Sequence, residues 1–157
     1  MEPFDYFEEL NNCAYLFLEE LLEPGTNSLR IQVVEGRASK VAVPIEVAGQ
    51  SLGDGFPVKI DATSARYELI WNSYVLYQVT NELFARQEDP ESGVLSKSAS
   101  VYKSSKLLDY VSLSSNASDE YPGKLLHFRI ICADHVIDVV STDRPECRRI
   151  GPMLRVN

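Results

Sequence analysis

The chain is poor in the residues that most often announce chemistry. Two histidines (His127 and His135), three cysteines (Cys13, Cys132 and Cys147) and one tryptophan are spread over 157 residues. An odd, widely spaced set of cysteines supports neither a disulfide framework nor a zinc cluster, so a reducing, cytoplasmic setting is the expectation. No uncharged apolar run approaches the roughly 18 residues that a membrane span needs. The acidic opening Met1-Glu2-Pro3-Phe4-Asp5 lacks the positive start of a secretory signal. The scarcest feature is positive charge at the front. No lysine or arginine precedes Arg30, whereas seven of the 23 acids fall in the first 23 residues, in a chain of net charge −8. The remaining charges are nearly balanced. This excess argues against nucleic-acid binding through phosphate contacts. It suits a basic protein partner.

What is present is the material of one ordinary soluble domain. Apolar residues make up 45% and charged residues 24%, with eight tyrosines and six phenylalanines. These proportions are globular, and the length suffices to bury a core without staples. The reading is a single α+β domain over residues 1–157 that ends in an irregular basic tail, 143–157.

The acidic opening predicts an amphipathic helix over residues 3–23. At helical spacing the acids fall on one arc about 120° wide, and Phe4, Phe7, Leu10, Cys13, Ala14, Phe17, Leu18, Leu21 and Leu22 fall opposite, with Leu16 the main exception. Pro3 suits a first turn, and Pro24-Gly25 supplies a stop. Period-two patterns follow. Strands are expected at Leu29–Val34, at Val41–Val47 (limited by Pro44 to an edge or a bent strand), at Phe56–Ile60, and at Tyr67–Trp71 and Tyr74–Val79 with Asn72-Ser73 as a turn. Gly49–Gly55 reads as a loop and Ser96–Ser105 as a connector. Ser105 can cap a second helix with Leu107, Leu108 and Val111 at helical spacing. Leu125–Ala133 and Val136–Ser141 then form a hairpin turning at Asp134-His135. In that register Cys132 faces Ile137 and Ile130 faces Val139. Leu126, Phe128, Ile130, Cys132, Ile137 and Val139 share the buried face; His127, Arg129 and Asp138 share the other. The order implies a two-layer α+β fold, a mainly antiparallel sheet covered by an N-terminal amphipathic helix and a second helix before a C-terminal hairpin.

Catalytic constellations are weak. Cys132 and His127 point to opposite sheet faces, which separates a thiol from its base. Asp134, His135 and Asp138 do not converge as the three ligands of a metal site must. Asp138 is expected diagonal to Arg129, in a surface ion pair worth little. Asp119-Glu120 and Glu88-Asp89 read as solvated loop charge rather than a buried acid/base pair. Gly49–Gly55 lacks the Lys-Ser/Thr of a phosphate loop. Tyr67, Trp71, Tyr74 and Tyr77 lack the positive charge of a single-strand-binding platform. No catalytic residue, metal ligand or cofactor site is assigned.

The acidic set Asp5, Glu8, Glu9, Glu19, Glu20 and Glu23 is therefore the candidate partner-binding site. As a helix face it is costly. Asp5 with Glu9, and Glu19 with Glu23, repel at spacing four, at roughly 0.2–0.5 kcal/mol per pair. Glu19, Glu20 and Glu23 also sit at the wrong end of the helix dipole, at about 0.3–1 kcal/mol each. A rule broken repeatedly without local gain points to a use elsewhere, either on a basic partner or on the chain's own tail from Arg144 to Arg155.

Tyr102-Lys103-Ser104-Ser105-Lys106-Leu107-Leu108-Asp109-Tyr110-Val111, then Asp119-Glu120-Tyr121-Pro122-Gly123, then His127–Ser141, resemble small bacterial α+β proteins, some of which look like the immunity proteins of toxin systems. That resemblance implies a small acidic cytoplasmic inhibitor that covers a basic toxin domain. It carries over no catalytic or binding residue. The element order is also similar to that of acidic secretion chaperones. That likeness implies a homodimer whose exposed apolar surface holds an extended client segment. The function expected from sequence is thus a non-enzymatic protein-binding module, monomeric or homodimeric; an enzyme of unknown activity is the remaining alternative.

Overall fold

The computed structural model describes residues 6–88 and 97–151. Runs rich in β-branched and aromatic residues become strands, and every pair of neighbouring strands among the described residues is antiparallel. One sheet orders β1 (Tyr15–Leu22), β2 (Leu29–Ala38), β6 (Arg66–Trp71) and β11 (Glu146–Arg149), with the short β5 (Val58–Lys59) lying on the end of β2. A second sheet orders β7 (Leu76–Asn81), β10 (His135–Ser141), β9 (Leu126–Ile131) and β8 (Ala99–Tyr102). A third, two-stranded sheet is the hairpin β3 (Val43–Val47) and β4 (Gln50–Gly55). The described residues also hold two short α-helices, α1 (Tyr6–Glu9) and α2 (Lys106–Ser114), and two 3-10 turns, Leu10–Asn12, which continues α1, and Glu82–Phe84.

The core takes alternate side chains from the two larger sheets. Leu29, Ile31 and Val33 of β2 and Tyr67, Leu69 and Trp71 of β6 join Phe128, Ile130, Ile137 and Val139. Phe7 of α1 and Trp71 both meet the Phe128 ring edge-on, at centroid separations of 5.8 and 5.6 Å. Edge-to-face contact suits the ring quadrupoles. The opposite face of β10 is covered as well. Val140 packs with Leu107 and Val111 of α2. The Ser105 hydroxyl caps α2 by accepting the Leu108 N–H at 3.1 Å.

The long N-terminal helix is corrected. α1 ends at Glu9, and Tyr15–Leu22 is an edge strand rather than helix. A β-bulge explains why the spacing misled. The pairing with β2 shifts between Leu18 and Glu20, leaving Glu19 as the extra residue. Leu16, Leu18 and Leu21 therefore all face the core; the interval of three from Leu18 to Leu21 also fits a helical face, whereas Leu16, two residues before Leu18, fits only the strand. Leu and Glu are good helix formers, but pairing with β2 outweighs that preference. Consequently, among the described residues, the expected long first helix is reduced to the single turn α1, and α2 is the longer helical cover.

Smaller corrections follow the same logic. Gln50–Gly55 is a strand, not a loop, and Ala99–Tyr102 within the expected connector is the edge strand β8. Tyr67–Trp71 and the following strand lie in different sheets, so Asn72-Ser73 joins no hairpin. Residues 146–149 of the basic tail form β11 against β6. The C-terminal hairpin turns at Ala133-Asp134, with the Cys132 N–H donating to the His135 carbonyl at 2.7 Å. Ile130 faces Ile137 and Phe128 faces Val139. This two-residue shift leaves each side chain on its expected face. It also sets Asp138 directly opposite Arg129.

Candidate functional site

The structure disperses the six acids. Asp5 lies outside the described residues. Glu8 is exposed in α1, whereas Glu9 is half-buried, with its Oε2 buried and without a hydrogen-bond partner. Only Glu19 and Glu20 are brought together, at the β1 bulge. Both are neutralised from within the fold. Glu19 accepts from Arg66 Nε at 3.1 and 3.2 Å, and Glu20 accepts from Arg30 Nη2 at 2.8 Å. Glu23, just past β1, accepts the Tyr74 hydroxyl. This carboxylate holds the Tyr74 phenol up at about 12.

These pairs belong to a charge ladder across the outer face of the first sheet. From Glu20 it runs to Arg30, then to Glu68, whose Oε2 lies 4.0 Å from Arg30 Nε, and ends at Arg148 of β11, whose Nε donates to Glu68 at 2.8 Å. The Gln32 amide donates to Glu68 at 2.9 Å. Gln32 foremost, against the cost of burial, and then the two arginines hold the Glu68 carboxyl below its ordinary range. Glu68 and Arg30 thus link Arg148 of the basic tail to Glu20 of the acidic segment.

A second constellation was missed by the sequence reading. His127 and Asp138, expected on a partly exposed face, are fully buried, because Ser105 and α2 cover that face. His127 Nε2 lies 2.7 Å from Asp138 Oδ1, and Nδ1 lies 2.9 Å from Ser105 Oγ. Arg129 clamps both Asp138 oxygens, Nε to Oδ1 at 2.7 Å and Nη2 to Oδ2 at 3.1 Å. Gln78 adds a third donor at 3.2 Å. Burial opposes the Asp138 charge. The hydrogen bonds from His127 and Arg129 outweigh it, and the carboxyl is held down at about 2. One sequence signal could have shown this. Val136 and Val140 flank Asp138 on the same strand face, so β10 reads as a strand buried on both sides.

Serine, histidine and aspartate in line resemble a proton relay. The bonding here assigns a different task. The ionised Asp138 carboxylate can only accept, so His127 Nε2 carries the hydrogen that faces it, while Ser105 Oγ accepts the Leu108 N–H and lies 2.9 Å from Nδ1. Ser105 and His127 are both buried, so the hydroxyl of this network does not face solvent. The network satisfies a buried charge and ties α2 to the second sheet. Cys132 lies on the opposite face, as expected, and burial pushes its thiol up to about 12. Among the described residues no three His, Cys, Asp or Glu side chains gather as a metal site would require, and no helix is long and apolar enough to cross a membrane.

Two clefts flank α2. One of about 740 Å³ has Leu108, Leu126, Lys103 and Lys124 among its lining residues. The other, of about 470 Å³, is bordered by Phe84, Leu107, Tyr110, Arg86, Lys106 and Arg129. Phe84 is 77% exposed, and Leu113, one turn beyond Tyr110 on the same helix face, is 89% exposed. Comparison with protein-family models, with curated proteins and with solved structures finds no match.

Proposed function

We propose that the chain is a non-enzymatic protein-binding module that grips its partner over the α2 surface and is steered toward basic partners by its charge. The observation that carries the proposal is the uncovered apolar ground beside the smaller cleft. Phe84 and Tyr110 stand at its border, and Leu113 extends the same face. Large exposed aromatic and aliphatic side chains beside a concavity are the usual anchors of protein recognition. The net charge of −8 sums over the whole molecule, so internal pairing of Glu19 and Glu20 does not remove the long-range field. Inhibition of a basic toxin domain, the role implied by the immunity-protein resemblance, is one form of this function. Carriage of an extended client is the second, and exposed apolar surface favours it.

Selection of peptides from a random display library on the immobilised chain tests the proposal. Enriched sequences should combine apolar anchors with lysine or arginine, and Phe84→Ala/Leu113→Ser should weaken them about tenfold or more. An acidic consensus would refute the steering. Full binding by the double variant would refute the surface.

A further inference from the structure

The second hydrophobic cluster is open on one side. Leu107, Val111 and Val140 are its buried members, and Leu108, Ala117 and Leu125 pack against it half-buried. The same three half-buried side chains, with Leu126, line the larger cleft of about 740 Å³. A concavity of this size, with apolar walls and a few polar groups, suits a small organic ligand. It lies on the other side of α2 from the Phe84–Leu113 surface. At about 100° per residue Leu108 and Ser112 share one face of the helix, with Lys106, Tyr110 and Leu113 opposite. Local hydrogen bonds hold its outer wall in shape. The Ser115 hydroxyl accepts the Ala117 N–H at 3.2 Å and donates to the Val111 carbonyl at 2.7 Å. The Ser118 N–H donates to the Tyr121 carbonyl at 2.8 Å, and the Ser118 hydroxyl accepts the Tyr121 N–H at 3.2 Å.

We infer that this cleft binds a small amphipathic carboxylate, an acyl or aryl acid whose apolar body lies on the leucines and whose head group meets Lys103 and Lys124. Charge selects this class. Lys103 follows β8 and Lys124 precedes β9, so both come to the cleft from the same end of that strand pair. Both are exposed, and neither forms an ion pair among the described residues. Asp119 is the one acid in the described lining. Two lysines less one aspartate leave one net positive charge. A singly charged carboxylate neutralises it, whereas a phosphate monoester brings a charge of about −1.5 to −2. The surroundings act the same way. Residues 97–129 hold four lysines and one arginine against Asp109, Asp119 and Glu120, in a chain whose net charge is −8. A cationic ligand is repelled here and drawn to the acid excess elsewhere. A wholly polar anion would leave the leucines uncovered. Ser112, also in the lining, offers a hydroxyl donor.

Titration of the full chain with decanoate, followed through its amide chemical shifts, tests this. Saturable shifts should appear at Leu108, Ser112 and Leu125, with a dissociation constant below about 1 mM. Decyltrimethylammonium carries the same apolar tail under a cationic head and should bind about tenfold more weakly or not at all. That comparison needs no variant. Lys103→Gln/Lys124→Gln should weaken decanoate about tenfold or more. Both lysines are exposed and unpaired, so the amide spectrum away from the cleft should stay that of the wild type. Phe84→Ala/Leu113→Ser should bind decanoate as the wild type does, which separates this site from the surface proposed above. Absence of saturable shifts at the cleft, shifts that map to the β3–β4 hairpin instead, equal binding of the cationic amphiphile, or a lysine variant that holds decanoate as tightly as the wild type would each overturn the inference.

Discussion

Asp138 concentrates most of the buried polar energetics. Its carboxylate is buried, takes hydrogen bonds from His127, Arg129 and Gln78, and is held at about 2, against an ordinary value of 3.8. A folded-state value below the unfolded one means that the charged form is favoured by folding. Its contribution is fully present above the unfolded value, near pH 4, and is lost as pH falls toward 2. The shift corresponds to about 2 kcal/mol. Asp138→Asn keeps the shape but leaves Arg129 facing a neutral group, and breaking a buried pair typically costs about 3–5 kcal/mol. Urea unfolding should show that loss at pH 7. It should also show a flatter acid limb for the variant than for the wild type between pH 4 and 2. Equal acid limbs would mean that other carboxylates set the acid sensitivity.

At the scale of elements, α2 was legible because its signals are local. Ser105 caps, and Leu107 and Val111 are buried at the expected spacing. The faces of the C-terminal hairpin were legible because a two-residue slip preserves them. The first helix was not, because Leu18 and Leu21 satisfy a helix or a bulged strand alike; Leu16 alone breaks the helical pattern, and pairing with β2 decides for the strand. The buried network was hidden for a similar reason. Ser105 and His127 lie 22 residues apart and meet only when α2 folds over the sheet. The bulge gives a test that separates strand from helix. Removing Glu19 leaves Leu18 inward, Glu20 outward and Leu21 inward in an unbroken strand, whereas in a helix it would rotate every later residue by about 100°. The deletion should therefore cost about 1 kcal/mol or less, since the Glu19–Arg66 pair it removes is partly exposed. It should also flatten the open edge and raise the tendency to aggregate. Urea unfolding with light scattering checks both; a loss of several kcal/mol would contradict the bulged-strand register.

At the scale of the molecule, the body and the β3–β4 arm are energetically separate. No residue of β3 or β4 belongs to either hydrophobic cluster. The ribbon that carries the arm closes below it, through the Arg37–Lys59 and Ala38–Val58 pairs and the Ser39–Pro57 bond. Val58 stays under Gly36, where a Cβ would approach its Cγ1 to 2.7 Å, so the last side chain that packs on the body lies on the body's side of that closure. Replacing residues 40–56 by Asn-Gly, a pair suited to a two-residue hairpin turn, should then leave the body intact. The urea-unfolding free energy of the shortened chain should fall within about 1 kcal/mol of the full-length value, because exposed side chains contribute little to folding. A shortened chain that is less stable by several kcal/mol would instead make the arm part of the folding unit.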